Sequence, residues 1–131
     1  MDMCTFGEHL TIDGYGGEFM FLNDRDLVEH CLRELPLLLY MHPLMPPAVQ
    51  WAQPDDLNDP GGWSGYVLIA DSHISLHTFP HRRFLNASIY TCRNGTNMDR
   101  VIHYFTEKFC LTDTETRFTK RGAKSPVRNG V

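Results

Sequence analysis

The amino-acid sequence predicts an α+β fold, a two-layer sandwich in which two helices cover one face of a mainly antiparallel sheet. The chain has 131 residues, of which 42% are hydrophobic and 21% charged, as expected for one soluble domain spanning residues 1–131. Short segments that alternate apolar and polar residues recur along it and are typical of half-buried strands. Two longer segments repeat apolar residues every three or four positions, the spacing of an amphipathic helix.

The N-terminal part of the chain predicts a strand, a helix and a second strand. The segment HLTIDGYG, residues 9–16, alternates apolar and polar residues and stops at glycines. The segment NDRDLVEHCLREL, residues 23–35, starts with capping and acidic residues and carries one apolar face, so we expect a helix that ends at Pro36. The apolar segment LLLYMH, residues 37–42, is predicted as a short strand.

A proline-rich segment, residues 43–62, separates this part from the rest. It holds five prolines, which disfavour both a helix and a central strand, so we expect a long loop. Loops of this length in compact domains are usually functional or disordered. Asp55, Asp56 and Asp59 could supply a carboxylate to a site beneath the loop, although a solvated acidic loop explains them more simply.

The C-terminal half predicts three strands, a helix and a last strand. The strands are rich in β-branched and aromatic residues and comprise residues 64–71, 74–79 and 84–92. The segment NMDRVIHYFTEKF, residues 97–109, has a helical apolar face, with Asn97 as a plausible cap. TETRFTK, residues 114–120, is predicted as the final strand, and the basic residues 122–131 as a flexible tail.

Composition and charge argue against several classes of function. The net charge of −4 argues against a nucleic-acid-binding surface, and no apolar run is long enough to span a membrane. The start MDMCTFGEHL lacks the features of a secretory signal, which predicts a cytoplasmic protein. The cysteines are widely spaced and form no C-x-x-C pair, so we expect free thiols and no zinc site at Cys4, Cys31, Cys92 and Cys110.

The segment around Ser72 concentrates residues that can carry chemistry. Ser72 lies between Asp71 and a histidine at the end of an apolar strand, and His77 and Cys92 follow. Taken singly, each has an ordinary explanation: a structural serine, a hydrogen-bonded histidine, a buried thiol. Neither a G-x-S-x-G motif at Ser72 nor an H-E-x-x-H motif occurs in the sequence, so it gives no local support for a hydrolase or a zinc protease.

The segment SGYVLIADSHISLHTFPHRRFLNASIYTC, residues 64–92, resembles the central region of the bacterial S-adenosylmethionine decarboxylase proenzyme family. The family pattern is S-G, an apolar strand, E-S-H, then S-I-H-T-W-P-E, a strand and T-C. The spacing matches without a gap from Ser64 to Cys92. The opening FGEHLTIDGYG, residues 6–16, is similar to the family's G-x-H-L-x-x-x-x-Y.

The resemblance implies a proenzyme that cleaves itself between Asp71 and Ser72. The products would be a β chain of residues 1–71 and an α chain of residues 72–131. The Ser72 hydroxyl would attack the preceding carbonyl, and Ser72 would end as a pyruvoyl group that serves as the cofactor. This group would form a Schiff base with the substrate and act as the electron sink, so we expect neither a metal nor pyridoxal phosphate.

The resemblance also assigns roles to three further residues. Ser64 matches the residue that donates to the tetrahedral intermediate of processing. His77 matches the base that removes a proton during processing, and its reference pKa of about 6.5 suits that role. Cys92 matches the general acid of decarboxylation, because a thiol with a pKa near 8.5 can deliver a proton at neutral pH.

Three departures from the family pattern bear on this assignment. Asp71 stands where the family usually has glutamate. His81 stands where a family glutamate binds the ribose hydroxyls, so its role in substrate binding is in question, because a neutral imidazole offers one acceptor and a carboxylate two. The proline-rich segment 43–62 replaces a shorter family segment with an F-H-x-F-like motif.

Three hypotheses about function therefore remain open from the sequence. The first is an S-adenosylmethionine decarboxylase that serves spermidine biosynthesis. The second is a pyruvoyl decarboxylase on the same fold that acts on ornithine or arginine, which the histidine at position 81 favours. The third is a non-catalytic homologue that does not mature. In each enzymatic case the partner is a small-molecule substrate, and the resemblance implies a homodimer with sites near the protomer interface.

Overall fold

The computed structural model describes residues 6–53 and 60–124, which form an antiparallel six-stranded sheet with helices packed against it. The strands are β1 (Gly7–Tyr15), β2 (Ala48–Ala52), β3 (Gly62–Ile69), β4 (Ser72–Phe79), β5 (Phe84–Thr91) and β6 (Asp113–Arg121). The helices are α1 (Phe19–Leu22), α2 (Arg25–Leu38) and α3 (Met98–Phe109), and a 3₁₀ turn spans Pro80–Arg82. The strand order is β2-β3-β4-β5-β1-β6, with antiparallel neighbours throughout.

The predicted α+β sandwich is confirmed, with the short helix α1 as an addition. Alternate residues of the strands face α2 and α3, because successive side chains of a strand point to opposite faces. The core that results is formed by Leu10, Ile12, Val67, Ile74, Leu76, Leu85 and Ile89 from the sheet and by Leu32, Leu35, Phe105 and Phe109 from the helices. Burial of this apolar surface is the main force that holds the two layers together.

The caps of both long helices follow the sequence prediction. Asp24 caps α2, where its carboxylate accepts hydrogen bonds from the backbone N–H groups of Asp26 and Leu27. Asn97 caps α3 by accepting from the N–H of Arg100. Each cap satisfies N–H groups that the first turn of a helix leaves without an intrahelical partner.

The predicted strand over residues 37–42 is wrong, as is the prediction that the helix ends at Pro36. Helix α2 continues through Pro36 to Leu38, and Tyr40 then turns the chain with a left-handed φ of 58°. A proline costs a helix one N–H donor, but here Pro36 is buried with the core, and the Met41 N–H donates to the Pro36 carbonyl at 2.8 Å. Within this segment Leu39 and Met41 are buried in the core, whereas Leu37 and Tyr40 are exposed.

The proline-rich segment is only partly a loop. Residues 48–52 contain no proline and form β2, an edge strand paired with β3. Proline disfavours the centre of a sheet, and here the prolines lie before and after an edge strand rather than within it. Asp55, Asp56 and Asp59 lie outside the described residues, and so does the part of the predicted tail beyond Lys124.

The face of the sheet opposite α2 and α3 carries exposed or half-buried side chains, and we call it the open face. Its members come from the alternate positions of the strands and include His9, Ser64, Tyr66, Leu68, His73, Ser75, His77, Ser88 and Tyr90. Apart from Leu68 these residues are polar or aromatic, in contrast to the mainly aliphatic residues on the helix-covered face. Two of the predicted site residues, Ser64 and His77, belong to this open face.

Candidate active site

Ser72 lies at the turn of the hairpin formed by β3 and β4. It pairs with Ile69 across the hairpin, so the connection consists of only Ala70 and Asp71. Asp71 has a left-handed φ of 59°, a conformation that costs an L-residue about 1–2 kcal/mol and that aspartate tolerates better than most. The predicted cleavage site, Asp71–Ser72, thus includes a strained backbone position at Asp71. Ser72 itself is 7% exposed.

Cys92 follows the last residue of β5 and contacts Ser72. Its backbone N–H donates to the Ser72 hydroxyl oxygen at 3.1 Å, and that hydroxyl points to the Cys92 sulfur at 3.9 Å. Cys92 is a half-buried free thiol. The two residues are 20 positions apart and meet because β4 and β5 are antiparallel neighbours. The predicted cleavage residue and the predicted proton donor are therefore adjacent.

Ser64 and His77 form a second pair on the open face. They lie directly opposite each other in the β3–β4 register, and the Ser64 hydroxyl is 2.7 Å from Nδ1 of His77. This hydrogen bond orients the imidazole of His77, which is an exposed residue. The pair can donate a hydrogen bond and transfer a proton, which are the two roles that the resemblance assigns to it.

The two pairs lie apart within one chain. His77 lies five positions after Ser72 along β4, which corresponds to about 17 Å at the rise of an extended strand. Because this offset is odd, their side chains also leave the strand on opposite faces. The structure therefore brings together Ser72 with Cys92 and Ser64 with His77, but it does not bring all four residues into one cluster.

His81 lies in the 3₁₀ turn beyond the far end of β4 and is exposed. Its ring packs edge-on against Phe19 of α1, with centroids 4.9 Å apart. The sequence analysis did not identify Phe19, because α1 is too short to give a periodic signal. Within one chain His81 belongs to the neighbourhood of His77 rather than to that of Ser72.

The sequence analysis also did not identify an aromatic cluster on the open face, which begins at His73, the residue after Ser72. The ring of His73 lies 5.6 Å from that of Tyr90, which pairs with it across β4 and β5. His9 Nε2 is 2.6 Å from the Ser88 hydroxyl. Burial, and then the positive charge of Arg121 and the proximity of His73, lower the pKa of His9, so His9 is neutral at pH 7.

A buried carboxylate, Glu8, lies opposite Thr91, the residue before Cys92, and was likewise not predicted. It is 2% exposed and accepts hydrogen bonds from the backbone N–H groups of Gly95 and Thr96 and from Lys120. Burial alone would raise the pKa of Glu8, but the hydrogen bonds from Lys120 and the two amides outweigh it and lower the pKa. Glu8 is therefore ionised at neutral pH.

The described residues include no group of three or more histidine, cysteine, aspartate or glutamate side chains placed to hold a metal ion. Over the same residues, none of the helices combines the length and the apolar character that crossing a bilayer requires. The pyruvoyl group implied by the resemblance would arise from Ser72 itself. The surroundings of Ser72 fit such a precursor, because its hydroxyl is held at a hairpin turn beside a free thiol.

Comparisons with known proteins identify the family of the chain. The family model described as S-adenosylmethionine decarboxylase matches residues 8–122. The S-adenosylmethionine decarboxylase proenzyme 2 of Bacillus cereus is 33% identical over 102 residues, which cover 78% of this chain and 76% of that protein. The proenzyme of Acetivibrio thermocellus is 28% identical over 127 residues, 96% of this chain and 97% of that protein.

A solved structure shows the same fold. The adenosylmethionine decarboxylase of Aquifex aeolicus superposes with a TM-score of 0.73 and 23% identity, covering 91% of this chain and 92% of that one. The sequence matches favour the S-adenosylmethionine decarboxylase interpretation over a decarboxylase of ornithine or arginine and over a non-catalytic homologue. The chain belongs to the S-adenosylmethionine decarboxylase family.

Proposed function

We propose that this chain is a cytoplasmic, self-processing, pyruvoyl-dependent S-adenosylmethionine decarboxylase, and that its product serves spermidine biosynthesis. One observation carries the proposal: the Ser72 hydroxyl and the Cys92 thiol meet at the turn of the β3–β4 hairpin. This contact joins the predicted cleavage residue to the predicted proton donor. Family membership and the names of the relatives point to the same reaction.

Processing uses side chains of the protein itself. Ser72 Oγ attacks the carbonyl carbon of Asp71, and the amide nitrogen takes up the hydroxyl proton as the peptide bond becomes an ester. Ser64 donates a hydrogen bond to the oxyanion of the tetrahedral intermediate. His77 then removes the α-proton of residue 72, and elimination breaks the Cβ–Oγ bond and frees the Asp71 carboxylate. Hydrolysis releases ammonia and leaves a pyruvoyl group on the C-terminal fragment.

The mature enzyme then uses Cys92. The pyruvoyl group would supply a ketone for the substrate amine and an electron sink for the loss of carbon dioxide, so the proposal requires neither a metal nor pyridoxal phosphate. The Cys92 thiol lies beside residue 72. A thiol in this position can deliver a proton to the substrate carbon.

A homodimer would complete the site. Ser64 and His77 lie about 17 Å along the strand from Ser72 of the same chain, too far for direct proton transfer. Both are on the open face, whose polar and aromatic residues suit a partner's matching surface. We therefore propose that two chains pair through their open faces, so that Ser64 and His77 of one chain face the backbone of the Asp71–Ser72 turn of the other, where the peptide carbonyl and the α-proton react.

Substrate binding is assigned to the region of His81. Its ring is held by Phe19, and this pair lies near the end of β4 that also carries His77. In the proposed dimer, His81 would reach the same site as His77. A single imidazole acceptor replaces the two acceptors of a carboxylate there, so we expect the ribose hydroxyls to be bound less strongly than by a glutamate.

Mass spectrometry of the purified protein tests the proposal. We expect two fragments, residues 1–71 and 72–131, with the second blocked at its N-terminus by the pyruvoyl group. Ser72→Ala should remain intact. The cleaved protein should release carbon dioxide from S-adenosylmethionine faster than from ornithine or arginine. A chain that stays intact after long incubation would refute the proposal, and release of carbon dioxide from ornithine or arginine alone would refute its substrate.

A further inference from the structure

The first two residues of β1 pack against the segment that contains Cys92. Glu8 lies opposite Thr91 in the β1–β5 register. A Cβ on Gly7 would collide with the Thr91 carbonyl oxygen and would lie 3.0 Å from Cys92 Cα, so only glycine permits this approach. The start of β1 is therefore in direct contact with the backbone that presents Cys92 to Ser72.

Glu8 fastens the loop that follows Cys92. This loop, residues 93–97, joins β5 to α3. One carboxylate oxygen of Glu8 accepts from the Gly95 N–H at 2.9 Å, and the other accepts from the Thr96 N–H at 3.2 Å. The Arg93 N–H donates to the Thr91 hydroxyl at 3.0 Å, so the loop is also fixed at its first residue.

The chemistry of this contact requires a carboxylate. Both oxygens of Glu8 are acceptors for the loop, and Lys120 of β6 balances the negative charge. Glutamine has the same shape but a single acceptor oxygen, so one of the two loop N–H groups would face an NH₂ group. The N–H group that loses its acceptor would have to bond water or another partner, so the loop would no longer be held in this position.

We infer that Glu8 is a positioning residue for Cys92: it holds the loop after Cys92 so that the cysteine N–H and thiol stay against the Ser72 hydroxyl. The inference rests on the proposed function where it concerns catalysis. The position of Cys92, however, can be measured in the uncleaved precursor. Glu8 does not touch Ser72. It acts on the site through the loop backbone and through the strand opposite Thr91.

The test uses the Ser72→Ala precursor, which cannot process and so separates positioning from activity. Hydrogen exchange of the Gly95 and Thr96 amides is followed with Glu8 intact and in the E8Q variant. The alkylation rate of Cys92 by iodoacetamide is measured by peptide mass spectrometry in the same samples. The matched control is E115Q, which also changes a carboxylate to an amide, but on an exposed residue of β6 that bonds Tyr15.

With Glu8 intact, we expect both amides to be protected although Gly95 is exposed. E8Q should accelerate their exchange by about tenfold or more and should change Cys92 alkylation at least about threefold, while the exposed Cys110 reacts as before. E115Q should leave all these rates within about twofold. With Ser72 restored, E8Q should also slow self-cleavage.

Three outcomes would overturn the inference. They are unprotected Gly95 and Thr96 amides with Glu8 intact, unchanged exchange and alkylation in E8Q, or the same changes in E115Q. If E8Q does not fold, the protection of the two amides in the parent precursor still decides whether Glu8 holds the loop. If the unsubstituted chain never cleaves, the proposed function fails, whereas the precursor measurements still judge the role of Glu8.

Discussion

At the scale of single residues, the site depends on short polar contacts at strand ends. The Ser72 hydroxyl accepts from the Cys92 N–H, and the Asp71 backbone before it is left-handed. A hydroxyl is a weak nucleophile unless it is held against its target, so these two constraints are what the cleavage chemistry needs. The proposed function gives Ser72 and Cys92 different roles, which substitutions can separate.

Cys92→Ala should leave cleavage in place and abolish most turnover. The methyl side chain retains the backbone N–H that binds Ser72 but removes the proton donor, and loss of a positioned donor typically costs about 10²- to 10⁴-fold in rate. Cleavage is checked by mass spectrometry and turnover by release of carbon dioxide. Cys110→Ala, at an exposed thiol, is the control and should behave like the parent. Unchanged turnover in Cys92→Ala would leave Cys92 as a merely packed thiol.

His81→Glu should raise kcat/KM for S-adenosylmethionine, because it provides two acceptors for a diol where imidazole provides one. His81→Gln is the matched control, since its amide has a single acceptor oxygen and should give little gain. Rates on S-adenosylmethionine, ornithine and arginine are compared for all three proteins. A fall in S-adenosylmethionine activity in His81→Glu alone would mean that the histidine and its Phe19 contact form the binding surface as they stand.

At the scale of secondary-structure elements, the helix layer is held by its apolar core and by polar contacts of α3 with Glu34 of α2. The Tyr104 hydroxyl of α3 donates to Glu34 of α2 at 2.7 Å, and Tyr104 is nearly buried. Lys108 lies over the Tyr104 ring at 5.3 Å. The two long helices are thus tied to each other as well as to the sheet.

Tyr104→Phe should destabilise the fold by roughly 1–2 kcal/mol, because it removes a hydrogen bond to a carboxylate while retaining the ring under Lys108. The free energy of unfolding is measured by urea denaturation. Tyr15→Phe is the matched control, since Tyr15 also donates to a carboxylate, Glu115, but at an exposed site. Its effect should be much smaller. Equal losses of unfolding free energy in the two variants would show that the Tyr104–Glu34 hydrogen bond stabilises the fold no more than an exposed one does.

The elements that were predicted wrongly share one cause. Residues 37–42 are apolar and follow a proline, so their local pattern suits a strand, yet burial of Pro36 with the core favours another helical turn. Residues 48–52 form β2 because β3 offers an edge to pair with. A local sequence pattern contains no information on the burial of Pro36 or on the free edge of β3, since both depend on residues distant in the sequence.

At the scale of the whole molecule, the separation of the two pairs predicts complementation between chains. Ser72→Ala and His77→Ala precursors should each stay uncleaved by the normal route. When the two are mixed so that dimers exchange subunits, the His77→Ala chain should cleave, because its intact Ser72 meets His77 of the other chain. The mixture is analysed by mass spectrometry, with each precursor alone as the control.

The same mixing experiment can contradict the paired arrangement. If the mixture cleaves no faster than the His77→Ala precursor alone, although sedimentation shows mixed dimers, then His77 acts within its own chain and β4 must rearrange. If sedimentation shows only monomers of the parent, pairing through the open face is wrong. A mixture of Ser64→Ala and Ser72→Ala precursors should give the same result as the mixture with His77→Ala, since Ser64 and His77 form one hydrogen-bonded pair.

The sequence by itself determined the α+β class, most strands, the two capped helices and the candidate residues around Ser72. These features depend on periodicity, on caps and on one ungapped motif, all of which act between residues near one another in the chain. Only the tertiary structure decided that α2 passes Pro36, that β2 exists and that Ser72 and His77 lie apart. It also placed Glu8 against Gly95, 87 positions away, because strand pairing and burial join segments that no local pattern relates.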